Sequence, residues 1–379
     1  MSSERDIKIM QMALLFARKG LGSVEPNPAV GCVIVKGDTI LGTGFHERFG
    51  EAHAEVNALA DCKARGNDPA GATMYVTLEP CSHTGKTPPC SQAVINAKIA
   101  RVVIAAEDPT DLAGGGIEML KQAGIEVEVG LCRDEAEKLN APFYKYARTG
   151  LPWVIVKWAQ SKDGYLARKN AATEGNWISN EQSRADVHKL RKRTQAILTG
   201  VDTVIADNPK LTVRIEAEAI DRPPLRVVVD SQLRIPPDCH LVMVPDAPTI
   251  VVTTARTAQA ETEKVQNLRD AGIEVLPVPA YEDHCDLGEA LILLGARGIQ
   301  QLLIEAGPTL ITELLNQNLA DEVRIYIAPF TLGANGTASA SETMKTLANR
   351  QELKDVKIDT FDTDICIRGY LEVIPKPLA

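Results

Sequence analysis

Short apolar runs alternate with helical patterns along the first third of the chain. Residues 6–19 carry apolar side chains at helical spacing, and this pattern ends at Gly20. Residues 32–35 form a buried-strand pattern, which a Lys-Gly-Asp turn joins to a second strand at residues 40–44, so a hairpin is predicted. Further strand patterns lie at residues 72–78, 101–106 and 126–129, with helical patterns between them. Strands that alternate with helices predict a layered α/β domain.

The second part of the chain has more apolar runs. A strand pattern at residues 153–161 opens it, and residues 180–193 form a polar helical pattern. Further apolar runs lie at residues 196–200, 225–230, 249–253, 274–278, 301–305 and 323–327, and residues 287–294 form an apolar helical pattern. Apolar runs interleaved with helices predict a mostly parallel, buried sheet.

The two periodic regions are separated by turn residues between Tyr146 and Pro152. A chain of 379 residues is also too long for one typical domain. We therefore expect a first domain over residues 1–146, a linker over residues 147–152 and a second domain over residues 153–375.

Composition and charge restrict the class of protein. Hydrophobic residues make up 45% and charged residues 24% of the chain, as in globular proteins, and the net charge is −9. This charge argues against a protein that grips nucleic acid, whereas a small phosphorylated substrate needs only a few local cations. We expect no signal peptide and no membrane span, because no apolar run is long enough. The eight cysteines are scattered, which suits a reducing cytoplasm.

Four residues in the first domain carry the strongest chemical signal. His53, Cys81 and Cys90 are three side chains of the kinds that bind Zn²⁺ tetrahedrally, and they leave a fourth position for water. Glu55, two residues after the histidine, can act as general acid and base for that water. This is the arrangement of zinc nucleobase deaminases, although here eight residues separate the cysteines instead of two.

The position of these residues on helices explains how they can converge. Residues i and i+2 do not face each other inside a helix, so His53 and Glu55 can share a ligand only at a helix end, with Glu51 suited to its start. A second helix is predicted to begin at Cys90, after two prolines. One alternative remains open at this point. His83 could be a fourth ligand, and the zinc would then be structural.

The first domain resembles the cytidine-deaminase superfamily over about residues 1–146. Residues 27–31 and 79–90, including the long segment between the cysteines, are similar to the deaminase domain of the bifunctional riboflavin-biosynthesis family. The resemblance implies a three-layer α/β/α fold. It also implies that Asn27 contacts the pyrimidine and that Lys86 or its neighbours contact the ribose phosphate. The alternative for Lys86 is a solvated loop cation.

A strand, a glycine turn and a helix start follow one another at residues 302–310 of the second domain. Backbone N–H groups at such a helix start can hold a phosphate, and Gly307 would let the ligand approach closely. An ordinary strand–helix turn has the same pattern. The glycine fingerprint of Rossmann dinucleotide-binding domains is absent from this part of the sequence.

Several motifs of the second domain resemble the reductase domain of the same family, at residues 175–179, 200–214 and 305–309. The resemblance implies a dihydrofolate-reductase-like α/β fold and NADPH as cofactor. The residues that it places at the cofactor are Ala159, Trp177, Thr203, Asp207, Ser231, Gly307, Pro308, Thr309 and Leu310. Those that it places at the substrate are Gly175, Arg191, Leu211, Arg214 and Glu305. Without the resemblance, the sequence predicts that Arg191 belongs to a surface charge run and that Trp177 is a core aromatic residue.

The resemblance implies a two-step enzyme of riboflavin biosynthesis. The first domain would hydrolyse an amino group from a diaminopyrimidinone with a phosphoribosylamino group, and the second would reduce its ribosyl to a ribityl chain with NADPH. An assembly of two or more copies is also implied. Two alternatives are a deaminase with another nucleoside or RNA target and a non-catalytic, zinc-stabilised binding protein.

Overall fold

The computed structural model describes residues 3–83, 88–110, 114–169, 177–215, 222–349 and 353–371. The chain divides into two compact units, Met1–Arg148 and Thr149–Ala379. The helix Ala141–Thr149 occupies the first half of the segment that the sequence predicts as a linker. Among the described residues, no helix has both the length and the apolar character that crossing a bilayer requires.

A five-stranded sheet lies at the centre of the first unit. Its strands are β1 (Gly31–Lys36), β2 (Thr39–Phe45), β3 (Thr73–Val76), β4 (Arg101–Ile104) and β5 (Glu126–Val129). Their spatial order is β2-β1-β3-β4-β5. β1 is antiparallel to both of its neighbours, and β3, β4 and β5 are parallel. The predicted hairpin is therefore confirmed as β1 and β2.

Helices cover both faces of this sheet. They are α1 (Glu4–Gly20), α2 (Ala54–Ala64), α3 (Cys90–Asn96), α4 (Gly116–Gln122), α5 (Arg133–Leu139) and α6 (Ala141–Thr149). Cys32 and Ile34 of β1 pack in one core cluster with α2, α3 and α4, whereas Val33 and Val35 pack in the other with α1 and Tyr144 of α6. Alternate strand residues thus bury opposite faces, which makes three layers, α/β/α.

Helix α2 lies unusually close to β2 because two glycines face it. A Cβ atom on Gly44 would lie 2.3 Å from the backbone nitrogen of Ala58, and one on Gly42 would lie 2.4 Å from its carbonyl oxygen. Real side chains do not tolerate such distances, so glycine is required at both positions. The close approach sets the position of the N-terminus of α2.

A nine-stranded sheet forms the centre of the second unit. Nine of this unit's strands build it: β6 (Trp153–Gln160), β8 (Ala196–Gly200), β9 (Leu225–Val229), β10 (Thr249–Thr254), β11 (Glu274–Val278), β14 (Gln301–Glu305), β15 (Glu322–Ile327), β17 (Lys354–Phe361) and β18 (Asp364–Tyr370). The order is β11-β10-β9-β8-β14-β6-β15-β18-β17. The first seven strands in this order are parallel and the last two join antiparallel, which confirms a mostly parallel sheet.

Four short strands form two small ribbons beside this sheet. They are β7 (Tyr165–Arg168), β12 (Ala280–Tyr281), β13 (His284–Cys285) and β16 (Gly336–Ser339), and they pair as β12 with β13 and β7 with β16. The C-terminal hairpin of β17 and β18 was not predicted from the sequence. Most side chains of β17 are exposed, so it lacks the apolar run by which the other strands are recognised.

The helices of the second unit follow its strands. They are α7 (Glu181–Arg193), α8 (Val201–Asp207), α9 (His240–Met243), α10 (Ala255–Ala260), α11 (Thr262–Asp270), α12 (Leu287–Gly295), α13 (Pro308–Asn316) and α14 (Ser341–Asn349). One core cluster contains Val154, Leu302 and Ile304, and the other contains Ile155, Ile197 and Leu303. Helices pack on both faces, and the loops that follow the parallel strands gather at their carboxyl ends, where α/β sheets bind ligands.

Candidate active sites in the two units

The N-terminus of α2 carries the first pair of predicted site residues. His53 is the N-cap, with extended backbone angles (φ −76°, ψ 166°), and Glu55 is the second residue of the helix. Glu51 was expected at the helix start, but the helix begins three residues later because His53 is the last extended residue. The expectation that His53 and Glu55 meet at a helix end is confirmed.

The two cysteines converge on His53. The Nδ1 atom of His53 lies 3.3 Å from Sγ of Cys90 and 3.7 Å from Sγ of Cys81. Cys90 is the first residue of α3, with Pro89 as its N-cap, and its backbone N–H donates to Sγ of Cys81 over 3.4 Å. The three ligand atoms all lie within 4.8 Å of one another.

This donor set fits Zn²⁺. One imidazole nitrogen and two thiol sulfurs at these separations are the donors that the ion takes in catalytic sites with three protein ligands. Hydrogen bonding from Cys90, together with His53, lowers the pKa of the Cys81 thiol, which favours the metal-binding thiolate. His83 is not part of this group of ligand atoms, so a closed four-ligand site is not formed by the described residues.

Glu55 lies beside the three ligands, and only 3% of it is exposed. Burial raises the pKa of Glu55 to about 7. A carboxyl group with a pKa near neutrality can both accept and return a proton, as a general acid–base requires. Glu55 and His53 line a cavity of about 320 Å³, which is large enough for a pyrimidine ring.

Asn27 lines the same cavity, and its contact with the pyrimidine stays a prediction. Its side-chain amide donates to Nε2 of His46 over 3.2 Å, and Nδ1 of His46 donates to the carbonyl oxygen of Ala52 over 3.0 Å. These bonds fix the orientation of the Asn27 amide. Lys86 lies outside the described residues, so its role stays a prediction.

Glu79 is a buried residue of this region whose role the sequence did not reveal. Its carboxylate accepts the backbone N–H groups of Asp108, Gly115 and Ile117 over 3.0–3.2 Å. Glu79 therefore ties the segment before Cys81 to the start of α4 and to a further wall of the cavity. Its place two residues before a ligand was the only signal in the sequence.

The second unit has a cavity of about 1270 Å³ at the carboxyl ends of its parallel strands. Most of the predicted cofactor and substrate residues line it: Ala159, Trp177, Arg191, Thr203, Asp207, Arg214, Glu305, Gly307, Pro308, Thr309 and Leu310. Two predicted residues do not line it. Leu211 is buried in the core, and Ser231 follows β9, where its hydroxyl accepts the backbone N–H of Cys285. Gly175 lies outside the described residues.

A charged cluster occupies one side of this cavity. Oε1 of Glu305 accepts a hydrogen bond from Nε of Arg191 over 2.5 Å, and Oε2 accepts one from Nη2 over 3.1 Å. Nζ of Lys157 lies 3.5 Å from the same Oε2 atom. Burial alone would raise the pKa of Glu305, but Arg191 and Lys157 outweigh it and lower the pKa to about 2. The side chain of Arg191 is 12% exposed, so it does not belong to a surface charge run.

Two further cavity residues were not identified from the sequence. Lys157 precedes Ala159 by two positions in β6, so both side chains lie on one face of the sheet. His188 lies three positions before Arg191 in α7 and therefore on the same side of the helix. The sequence signal for Lys157 was a lysine inside a largely apolar strand. The signal for His188 was its spacing from Arg191.

The turn that follows Glu305 has the features of a phosphate-binding site. Gly307 is the N-cap of α13 with no side-chain cap, and Pro308 follows it at the first helical position. A Cβ atom on Gly307 would meet only Thr203, at 3.8 Å, so the space in front of this turn is open. Trp177 is 63% exposed, which excludes the interpretation as a core aromatic residue.

Comparisons with known proteins agree with both sites. Residues 3–106 match the family described as the cytidine and deoxycytidylate deaminase zinc-binding region. Residues 152–367, more than half of the chain, match the RibD C-terminal domain. The riboflavin biosynthesis proteins RibD of Escherichia coli (strain K12) and Aquifex aeolicus (strain VF5) are 41% and 38% identical to this chain. Those alignments cover 96% and 97% of this chain and 98% and 99% of the relatives.

Solved structures of similar sequence have the same fold over nearly the full length. RibD of Acinetobacter baumannii, form 1, is 38% identical, with a TM-score of 0.81 over 97% of this chain and 99% of that one. A diaminohydroxyphosphoribosylaminopyrimidine deaminase/5-amino-6-(5-phosphoribosylamino)uracil reductase of Thermotoga maritima is 33% identical, with a TM-score of 0.81 over 96% and 98%. The two expected folds, a cytidine-deaminase-like and a reductase domain, are thereby confirmed.

A zinc-binding deaminase domain and an NADPH-dependent reductase domain thus follow one another in this chain. Identity near 40% extends over almost the whole length of several curated relatives that share one name. The chain belongs to the RibD family of bifunctional deaminase/reductases of riboflavin biosynthesis.

Proposed function

We propose that the first unit deaminates a small pyrimidine through His53, Cys81, Cys90 and Glu55. The substrate that we assign is the one in the name of the Thermotoga maritima relative, a diaminopyrimidinone with a phosphoribosylamino group. Zinc, held by the histidine and the two cysteines, would supply an activated water when bound. The assignment rests on one observation: the buried carboxyl group of Glu55 lies beside three converging zinc donors in a cavity of suitable size.

Glu55 then moves the protons of the hydrolysis. It takes one proton from the water and delivers it to the ring nitrogen. It then takes the remaining proton from the hydroxyl group that has been added to the ring carbon and delivers it to the amino group, which leaves as ammonia. Asn27, whose amide is oriented by His46, holds the pyrimidine. Burial of Glu55 keeps bulk water away from its carboxyl group, so these transfers stay within the site.

The variant Glu55→Gln tests this assignment. It should bind zinc as the unmodified protein does and should release no ammonia from the substrate, because glutamine cannot carry the proton. Glu51→Gln is the matched control, since it makes the same chemical change at an exposed position just before the helix. Near-normal ammonia release by Glu55→Gln would contradict the mechanism.

We propose that the second unit reduces the ribosyl chain of the deaminated product to a ribityl chain. NADPH supplies the hydride when it is bound. Its phosphates would lie against Gly307 and the start of α13, where backbone N–H groups and the helix dipole favour anions. Trp177, Thr203 and Asp207 would line the rest of the cofactor's path.

The substrate would lie on the charged side of the same cavity. Arg191 and Arg214 offer guanidinium groups for its phosphate, and Glu305 holds Arg191 in place. The order of the two reactions can be tested by following NADPH oxidation. The Glu55→Gln chain should oxidise NADPH only when the deaminated intermediate is supplied. NADPH oxidation by that variant with the original diaminopyrimidine substrate would contradict the order.

We further propose that residues 1–146 and 153–375 carry the two activities, that residues 147–152 link them, and that the protein works in a reducing cytoplasm. All eight cysteines are free, which supports that compartment. Zinc content and NADPH turnover of the separately expressed segments would test the division. Inactivity of both segments, with the full chain active, would contradict it.

We propose that two or more copies assemble, and that the outer hairpin of the second unit forms an interface between them. Val356 and Ile358 of β17 and Ile365 of β18 are exposed, and the strand register places Ile358 and Ile365 on one face of this hairpin. Exposed apolar patches of this kind mark interfaces. In light scattering, the Ile358→Glu variant should have the molar mass of a monomer. Lys357→Glu, on the opposite face of the hairpin, is the control and should keep the mass of the unmodified protein. An unchanged mass would overturn the proposed interface.

A further inference from the structure

On the phosphate side of the reductase cavity, both arginines are held in place by hydrogen bonds to other protein groups. Arg191 uses Nε and Nη2 for Glu305, and Nη1 donates to the carbonyl oxygen of Thr212 over 2.8 Å. Arg214 uses Nη1 for the hydroxyl of Thr212 over 3.1 Å. A phosphate has three oxygens that each accept strongly, so a neighbouring donor can bind it alongside the remaining N–H groups of the two arginines.

His188 lies between these two arginines and lines the cavity. The backbone N–H of Arg214 donates to its Nδ1 over 3.2 Å. Since Nδ1 accepts, the hydrogen of a neutral imidazole is on Nε2, and this N–H has no hydrogen-bond partner among the residues that the structure describes. Burial, followed by Arg191 and Arg214, lowers the pKa of His188 to about 4, so the ring is neutral at physiological pH.

His188 and Arg191 together hold the segment that carries Arg214. His188 binds its backbone nitrogen, and Arg191 binds the carbonyl oxygen of Thr212, two residues earlier. Both holding residues belong to the last turns of α7, three positions apart. The segment is therefore attached to the helix at two points, and the orientation of Arg214 depends on both.

We infer that His188 is a further substrate-binding residue of the reductase site, whose Nδ1 holds the backbone of Arg214 and whose Nε2–H donates to the substrate's phosphate. A neutral donor adds a hydrogen bond without placing another positive charge beside Lys157, Arg191 and Arg214. The inference rests on the substrate position proposed above, with its phosphate near Arg191 and Arg214.

Two substitutions separate the two functions of the ring. His188→Asn places an acceptor oxygen where Nδ1 lies and has no donor at the position of Nε2. His188→Gln reaches the Nε2 position with an amide N–H and lacks the acceptor at Nδ1. We expect His188→Asn to raise KM for the phosphorylated intermediate about tenfold, the effect of one lost hydrogen bond to a charged group, with kcat and the KM for NADPH unchanged. His188→Gln should recover part of that loss.

The dephosphorylated intermediate provides the decisive comparison. Its KM should be the same for His188→Asn and the unmodified chain, because the lost partner is absent from both complexes. Equal impairment of the Asn variant with both substrates, or an unchanged KM with the phosphorylated one, would overturn the inference. Ammonia release by the same preparation shows that the variant chain is folded. Gln182→Ala, an exposed change on the same helix, is the control for a substitution in α7.

Arg214→Ala distinguishes failure of this inference from failure of the proposed substrate position. If Arg214→Ala raises KM for the phosphorylated intermediate and His188→Asn does not, only the role of His188 is wrong. If neither variant changes KM, the phosphate does not bind on this side of the cavity, and both proposals are overturned.

Discussion

Lys157 and Glu305 are direct neighbours across two parallel strands. The register of β6 and β14 pairs these residues, and Nζ of Lys157 lies 3.5 Å from a carboxylate oxygen of Glu305. Arg191 of α7 binds the same carboxylate through two nitrogens. One buried carboxylate thus holds two cations, and the strand register of the central sheet fixes its place in the cavity.

Glu305→Gln should reduce the stability of the second unit in a pH-dependent way. The pKa of Glu305 is lowered from 4.5 to about 2 in the folded protein, so its stabilising contribution is present above pH 4.5 and is lost as the pH falls towards 2. At neutral pH we expect a loss on the order of 3 kcal/mol in the free energy of unfolding. Tryptophan fluorescence can measure it, because Trp153, Trp158 and Trp177 all belong to the second unit.

Glu342→Gln is the control for this measurement. Glu342 pairs with Lys345 on the surface, where both side chains are more than 60% exposed, so the change should have little effect at any pH. A difference between Glu305→Gln and the unmodified chain that stays constant down to about pH 3 would show that the carboxylate is not stabilised by its two cations.

Arg191→Lys should impair the reductase although it keeps the charge. Lysine cannot reproduce the two bonds to Glu305 together with the bond to the Thr212 carbonyl, because it has a single nitrogen. KM for the phosphorylated intermediate should rise by about tenfold or more. An unaltered KM in steady-state kinetics, with the deaminase as internal reference, would remove Arg191 from the substrate site.

Removal of zinc by a chelator should separate the two activities. Ammonia release should stop, because the three proposed zinc ligands, His53, Cys81 and Cys90, all belong to the first unit. Reduction of supplied intermediate and the tryptophan fluorescence spectrum should stay as they were. Added zinc should restore ammonia release. If chelation also stopped NADPH oxidation with supplied intermediate, the reductase would require the metal as well.

Gly44→Ala should disturb the zinc site from a distance. The new methyl group would lie 2.3 Å from the backbone nitrogen of Ala58, so α2 must move away from β2. Overpacking of this kind costs about 1–3 kcal/mol, and the shift displaces His53 and Glu55 from the two cysteines. We expect reduced zinc content and reduced ammonia release. Normal zinc content would mean that α2 tolerates the added group without shifting.

The zinc site was largely predictable from the sequence because three of its four residues, His53, Glu55 and Cys90, lie in short motifs at helix starts. The central strands were predictable for a similar reason, since buried parallel strands form continuous apolar runs. The hairpin of β17 and β18 was not predicted, because residues such as Val356 and Ile358 alternate with charged ones on an exposed edge strand.

The reductase cavity required more than local pattern. Lys157 joins the charged cluster only because β6 and β14 are neighbours, although β6 ends at Gln160 and β14 begins at Gln301. His188 joins it because α7 ends beside the segment of Arg214. Such long-range pairings depend on strand order, which the period of apolar residues does not encode.

His53 and Glu55 both lie at the N-terminal end of α2. Cys81 lies in a loop, and Cys90 is the first residue of α3. A rigid shift of α2 would carry the histidine and the carboxyl group together and keep the spacing between them. The same shift would change both sulfur–nitrogen separations. Substitutions along α3 would move Cys90, whose thiol also forms a hydrogen bond with the carboxyl group of Glu55. In this architecture a change in metal affinity at Cys90 therefore also changes proton transfer at Glu55.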